Sequence, residues 1–104
     1  MYVAMNRFQV REESSADFEK LWRERDSHLE KVPGFLQFHL LRGDLNEENV
    51  RLYSSYTTWK TKTDFENWTK SEHFKNTHKN AKMPKGTYVS HPKFEGFDTL
   101  FSIN

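Results

Sequence analysis

The chain of 104 residues contains no cysteine. A disulfide-stapled scaffold, a thiolate nucleophile and a zinc ribbon are therefore excluded. It also lacks an excess of either charge, with 16 Lys and Arg against 15 Asp and Glu and a net of +1. Binding to nucleic acid or to a membrane surface needs clustered positive charge, so neither partner is expected. No apolar run is long enough to cross a bilayer. The opening MYVAMNRFQV has no long apolar run followed by a cleavage signal, so a signal peptide is not expected and a cytoplasmic location is the default. No nucleotide-binding glycine motif, GxSxG elbow, HExxH motif or paired acidic dyad is present. Repeats, linkers and low-complexity stretches are missing too, and the length suits one domain over residues 1–104.

What the chain has instead is aromatic side chains. They make up 15% of the residues, as nine Phe, four Tyr and three Trp, while hydrophobic residues in total reach only 35%. A small core built from few, large, flat groups gains buried area per residue. The same composition suits a pocket for a flat apolar ligand.

The hydrophobic pattern gives an element order. Residues 2–10 alternate as a strand, with Tyr2, Ala4, Asn6, Phe8 and Val10 on one face. Ser14 or Ser15 can cap a helix, Asp17 completing the reciprocal box. Phe18, Leu21, Trp22, Arg25, Leu29 and Val32 then recur at helical spacing until Pro33–Gly34. FLQFHLLR (35–42) and VRLYSSYTTW (50–59) read as strands around a loop at 43–49. Thr63 can cap a helix from Asp64, a break near Ser71–Glu72 starts a second short helix to about Lys79, and 82–92 is loop. KFEGFDTLFSI (93–103) is the last strand. The order β-α-β-β-α-α-β implies an α+β, ferredoxin-like fold with an antiparallel four-stranded sheet. Its second face is expected to be rich in Phe and Tyr, and a second copy would cover it in a dimeric α/β barrel.

Three residues invite a chemical reading. Asn6 is an amide among apolar neighbours on an inward face. It is either a satisfied buried amide or a donor held for a ligand. Trp68 is either a core anchor or one wall of a cavity. His73 and His78 are five apart and point about 140° away from each other on a helix, a poor chelate. His78 alone suits a surface position late in a helix, where the dipole favours a cation. A single axial imidazole is the alternative, because a porphyrin supplies the other four ligands.

MNRF, PGFLQFHLLR, TTWKTKTDFENW and FKNTHK, in that order over nearly the whole chain, resemble the IsdG-like haem-degrading monooxygenases. These belong to the wider antibiotic biosynthesis monooxygenase family of dimeric α/β barrels. The resemblance implies that Asn6 and Trp68 are catalytic and that His78 is the axial ligand of the haem iron. Arg25 falls where some members carry an arginine near the pocket, which implies a contact with the cofactor. Haem is then both substrate and iron centre. Dioxygen and an external reductant are implied, with electrons from a separate reductase and a homodimer as the working unit. The product is an opened ring with iron released. A non-catalytic haem carrier or sensor, and a cofactor-independent oxygenase acting on a phenolic or quinol substrate, are the alternatives.

Overall fold

The computed structural model describes residues 1–25, 28–71, 74–75 and 86–104. Four strands, β1 (Tyr2–Arg11), β2 (Phe35–Leu45), β3 (Val50–Trp59) and β4 (Lys93–Asp98), form one antiparallel sheet in the order β2-β3-β1-β4. Two helices, α1 (Ser15–Glu24) and α2 (Lys62–Thr69), follow β1 and β3. This is the α+β, ferredoxin-like arrangement that the element order implies. The second short helix expected after Ser71 lies outside the described residues, except for Phe74 and Lys75.

Register determines which side chains share a face, because residues directly opposite in an antiparallel pair point the same way. Tyr2, Ala4, Asn6, Phe8 and Val10 of β1 oppose Trp59, Thr57, Ser55, Tyr53 and Arg51 of β3. All ten therefore share one face, which the two helices cover. The core on this face falls into two clusters. One gathers Phe8, Val10, Phe18 and Tyr53, with Trp22, Leu40 and Tyr88 packed on them. The other gathers Tyr2, Ala4, Leu29 and Trp59, with Phe65 and Trp68 among its neighbours. Asn6 and Ser55 lie between the clusters.

The opposite face differs from the expectation. It carries Val3, Met5, Leu41, Leu52, Tyr56 and Phe97 among Arg7, Gln9, His39, Ser54 and Glu95, as the same register requires. Only two of these are Phe or Tyr, because nearly all the large rings went to the helix side. It still exposes apolar area, with Leu41 44% and Phe97 47% accessible.

Several boundaries also move. Helix α1 stops at Glu24, and Arg25 is already extended at φ −70°, ψ 122°. The apolar stripe lapses between Trp22 and Leu29 in the sequence. His28 turns into the left-handed region (φ 50°) before a single 3-10 turn at Leu29–Lys31. Ser14 occupies the cap position of α1 with no side-chain cap bond, since Glu12–Ser14 forms its own 3-10 turn. The cap of α2 is Thr61, whose hydroxyl accepts the Asp64 amide at 3.1 Å, two positions before the expected Thr63. Strand β2 runs on to Leu45, and the turn reduces to 46–49, where the Asn46 carboxamide accepts from the Glu48 and Val50 amides. Strand β4 ends at Asp98, opposite Tyr2, and the Thr99 amide makes the last bond, to the Met1 carbonyl. Beyond it no neighbouring backbone remains, so Leu100–Asn104 is not strand.

Candidate functional site

Between the sheet and the helices lies a cavity of about 460 Å³. Its floor is the middle of the sheet, with Ala4 and Asn6 from β1 and Ser55 and Thr57 from β3. Small side chains stand here between two aromatic edges. In register, Phe38 of β2 aligns with Thr57 and Ala4, and Phe94 of β4 aligns with Asn6 and Ser55. Strands are about 4.8 Å apart, so the two edges are separated by roughly 14 Å.

Each edge is built from a pair of nearly parallel rings. Trp22 of α1 stacks on Phe38, with centroids 5.8 Å apart and planes 13° apart. Phe65 of α2 stacks on Phe94 at 5.5 Å and 7°. Trp68, one turn further along α2, packs against Trp59 at 5.4 Å and meets Phe74 edge-on at 4.6 Å. Trp59 is fully buried while Trp68 is only partly so, and Trp68 gives its remaining surface to the cavity. The strand spacing and the α2 period together create this slot. Tyr2 packs on Gly96, where a Cβ would overlap its hydroxyl. The bare backbone at Gly96 leaves the Tyr2 ring its place over β4, two residues from Phe94 on the same face.

Polar groups in the slot are few. Asn6 is half-buried on the floor, facing into it. The Thr57 hydroxyl is engaged, accepting from Trp59 Nε1 at 3.0 Å and donating to the Ala4 carbonyl at 3.3 Å. Arg25 lines the wall just past α1, its guanidinium 4.5 Å from the Trp22 ring centre. Burial holds the Arg25 pKa below the usual guanidinium range, and nearby Tyr88 partly offsets this. Burial likewise raises the Tyr88 hydroxyl, against the opposing pull of Arg25.

Three of the four residues singled out from the sequence, Asn6, Trp68 and Arg25, thus line one cavity. The fourth, His78, lies outside the described residues. Among the described residues no histidine lines this cavity: His28 borders a neighbouring pocket behind Trp68, His39 packs on Tyr56, and His91 borders a third pocket. No cluster of three metal-ligating side chains occurs among the described residues either. Sequence reasoning missed Ser55, Phe38 and Phe94 as lining residues. The signal for Ser55 was the run of small hydroxyl residues in YSSYTTW, on a strand otherwise bulky at both ends.

The antibiotic biosynthesis monooxygenase family model matches residues 1–80. The staphylobilin-producing heme oxygenase of Staphylococcus haemolyticus (strain JCSC1435) is 33% identical over 84 residues, covering 77% of this chain and 75% of that protein. Among solved structures, the heme-degrader MhuD of Mycobacterium tuberculosis, with two hemes bound in its active site, superposes with a TM-score of 0.76 at 23% identity, covering 100% of both chains. A point mutant of SnoaB, a cofactor-independent oxygenase of Streptomyces nogalater, superposes with a TM-score of 0.73 at 18% identity, covering 98% of this chain and 95% of that one. Both structural likenesses establish the fold.

Proposed function

The chain belongs to the antibiotic biosynthesis monooxygenase family, among its IsdG-like members, and we propose that it is a haem-degrading monooxygenase. The observation that carries this reading is Asn6, an amide on the floor of a slot walled by six aromatic rings. A flat, apolar macrocycle fits such a slot, and a 460 Å³ cavity is within the ordinary range for small-molecule sites. Arg25 at the wall can pair with a carboxylate on the edge of the macrocycle. Haem, as substrate, supplies the iron at which dioxygen is activated.

The chain's own residues then have separable roles. Asn6 donates an N–H into the cavity and does not titrate, so its donor is present at any working pH. Trp68, on the cavity wall from α2, would bear on the face of a bound ring. His78 is the proposed axial ligand, through its neutral imidazole. Electrons come from an external reductase, and opening of the ring frees the iron. The working unit is proposed to be a cytoplasmic homodimer, in which Leu41, Leu52, Tyr56 and Phe97 on the sheet face away from the helices are covered by a second copy. Sedimentation at micromolar concentration should give about twice 12.5 kDa, and a folded monomer would count against the dimer. No helix among the described residues is long and apolar enough to cross a membrane.

The test is to add hemin, then ascorbate in air, and to follow the Soret band with a ferrous chelator present. Loss of the band with chelatable iron supports the reading. A stable band points to a haem carrier or sensor, for which Asn6 has no evident use. Failure to bind hemin, with turnover of a quinol, points to the cofactor-independent chemistry that the fold shared with SnoaB keeps in play.

A further inference from the structure

We propose that Ser55 is a second hydrogen-bond donor of the cavity floor, acting beside Asn6 on an acceptor atom of the bound ligand. The haem reading above supplies the ligand's identity. Ser55 stands directly across from Asn6 in the β1–β3 pairing and is 7% exposed. Side chains so paired have Cβ atoms about 4.5–5.5 Å apart, which lets a hydroxyl and a carboxamide reach the same ligand atom or two adjacent ones.

The other hydroxyls around the cavity are committed. Thr57 donates to the Ala4 carbonyl, and Thr69 donates to the Glu66 carbonyl at 2.7 Å. The neighbouring Ser54 points to the other face and donates to the Ser55 carbonyl at 3.3 Å. The Ser55 hydroxyl is the one lining hydroxyl that makes no side-chain hydrogen bond among the described residues, and it faces the cavity.

Mid-strand, on a floor between aromatic walls, an apolar β-branched residue would fit the backbone better. A hydroxyl there is disfavoured unless something accepts its proton. Neither Ser55 nor Asn6 changes charge with pH, so together they make a neutral two-donor patch. Such a patch favours a small acceptor held over the floor, such as the outer atom of a ligand on the haem iron, and does not repel an anion.

The experiment uses the hemin-loaded protein and two small probes, fluoride for the ferric state and carbon monoxide for the ferrous state. Ser55→Ala should weaken fluoride binding about fivefold, the loss of one hydrogen bond. It should also raise the C–O stretching frequency, because a donor to the outer atom has been removed. Ser55→Thr, which keeps the hydroxyl, should restore both readouts toward the parent. Thermal unfolding of each variant separates these effects from loss of fold. Should Ser55→Ala fail to fold, Ser55→Cys, a weak donor of similar size, is read in the same way. Unchanged fluoride affinity and C–O frequency in a folded Ser55→Ala protein overturn the proposal, whatever Asn6→Ala does. A parent protein that binds no hemin overturns the haem reading and this proposal with it. Probes that respond to Asn6→Ala and not to Ser55→Ala overturn the role of Ser55 alone.

Discussion

The two halves of the helix-facing side of the sheet use similar side chains to opposite ends. Beyond Asn6, toward Val10, the rings of Phe8, Phe18, Tyr53 and Tyr88 close on one another, with Val10 and Phe18 fully buried. Phe18 and Tyr53 approach to 4.6 Å between centroids. Before Asn6, toward Tyr2, the rings of Phe65, Trp68 and Phe94 line up along the walls and leave the floor open. A row of two small polar residues, Asn6 and Ser55, marks the change. An aromatic-rich composition therefore does not by itself separate core from pocket. The size of the residue opposite each ring decides it.

The sharpest way to break this contrast is to truncate one ring on each side. Phe18→Ala, in the closed half, should cost about 3–5 kcal/mol and leave little folded protein, as a thermal or denaturant melt would show. Asn6→Ala, on the boundary, should keep its fold and bind hemin within about tenfold of the parent. Its single-turnover rate should fall by about 10²-fold, the scale of losing one preorganised donor. Turnover at the parent rate in a folded Asn6→Ala protein would remove Asn6 from the chemistry.

Trp68→Ala, in the open half, tests whether that ring is wall or anchor. As wall, it should lose Soret decay rate more than stability, and Trp68→Phe should recover part of the rate. An activity loss that merely tracks the melting temperature would return Trp68 to the role of anchor, the role Trp59 already fills behind it. Tyr53→Phe is a gentler change in the closed half. The Tyr53 hydroxyl donates to Glu19 at 2.5 Å, and losing it should cost about 1 kcal/mol by denaturant titration.

The smallest effect concerns acid. The hydrogen bond from Tyr53 holds the Glu19 carboxyl below the usual glutamate range against the opposing effect of burial, and Arg42 adds to the lowering. Its folded pKa thus lies under its unfolded one. The stability it contributes is complete above about pH 4.3 and is lost as pH falls through the lowered folded value. Glu19→Gln should lose a small amount of stability at neutral pH, converge with the parent in acid, and so flatten the acid limb of a stability curve. An acid limb of unchanged slope would show that Glu19 is not among the groups driving acid unfolding.

Much of this was legible in the chain. Period-two alternation in YVAMNRFQV placed Asn6 on the inward face, and the order of elements implied the sheet. The end of α1 was harder to see. Leu29 and Val32 kept helical spacing with Trp22, yet the run between them is polar, and α1 ends at Glu24 with Arg25 extended over Trp22. The aromatic edges were illegible for another reason. Phe38 and Phe94 are 56 positions apart, and only the β2-β3-β1-β4 order brings them to opposite sides of one floor. The second face was misjudged because counting rings along a strand does not assign them to a side until the register is known.

The contact between Tyr2 and Gly96 has one more consequence. The hydroxyl occupies the volume where any other residue at position 96 would place its first carbon. A larger residue there must displace the Tyr2 ring or the β4 backbone, and Phe94 stands two residues away on the same face. The shape of the slot beside Phe94 therefore depends on a contact outside its lining. Changes at position 96 offer a dial for admitting larger or bulkier rings while every lining side chain stays as it is.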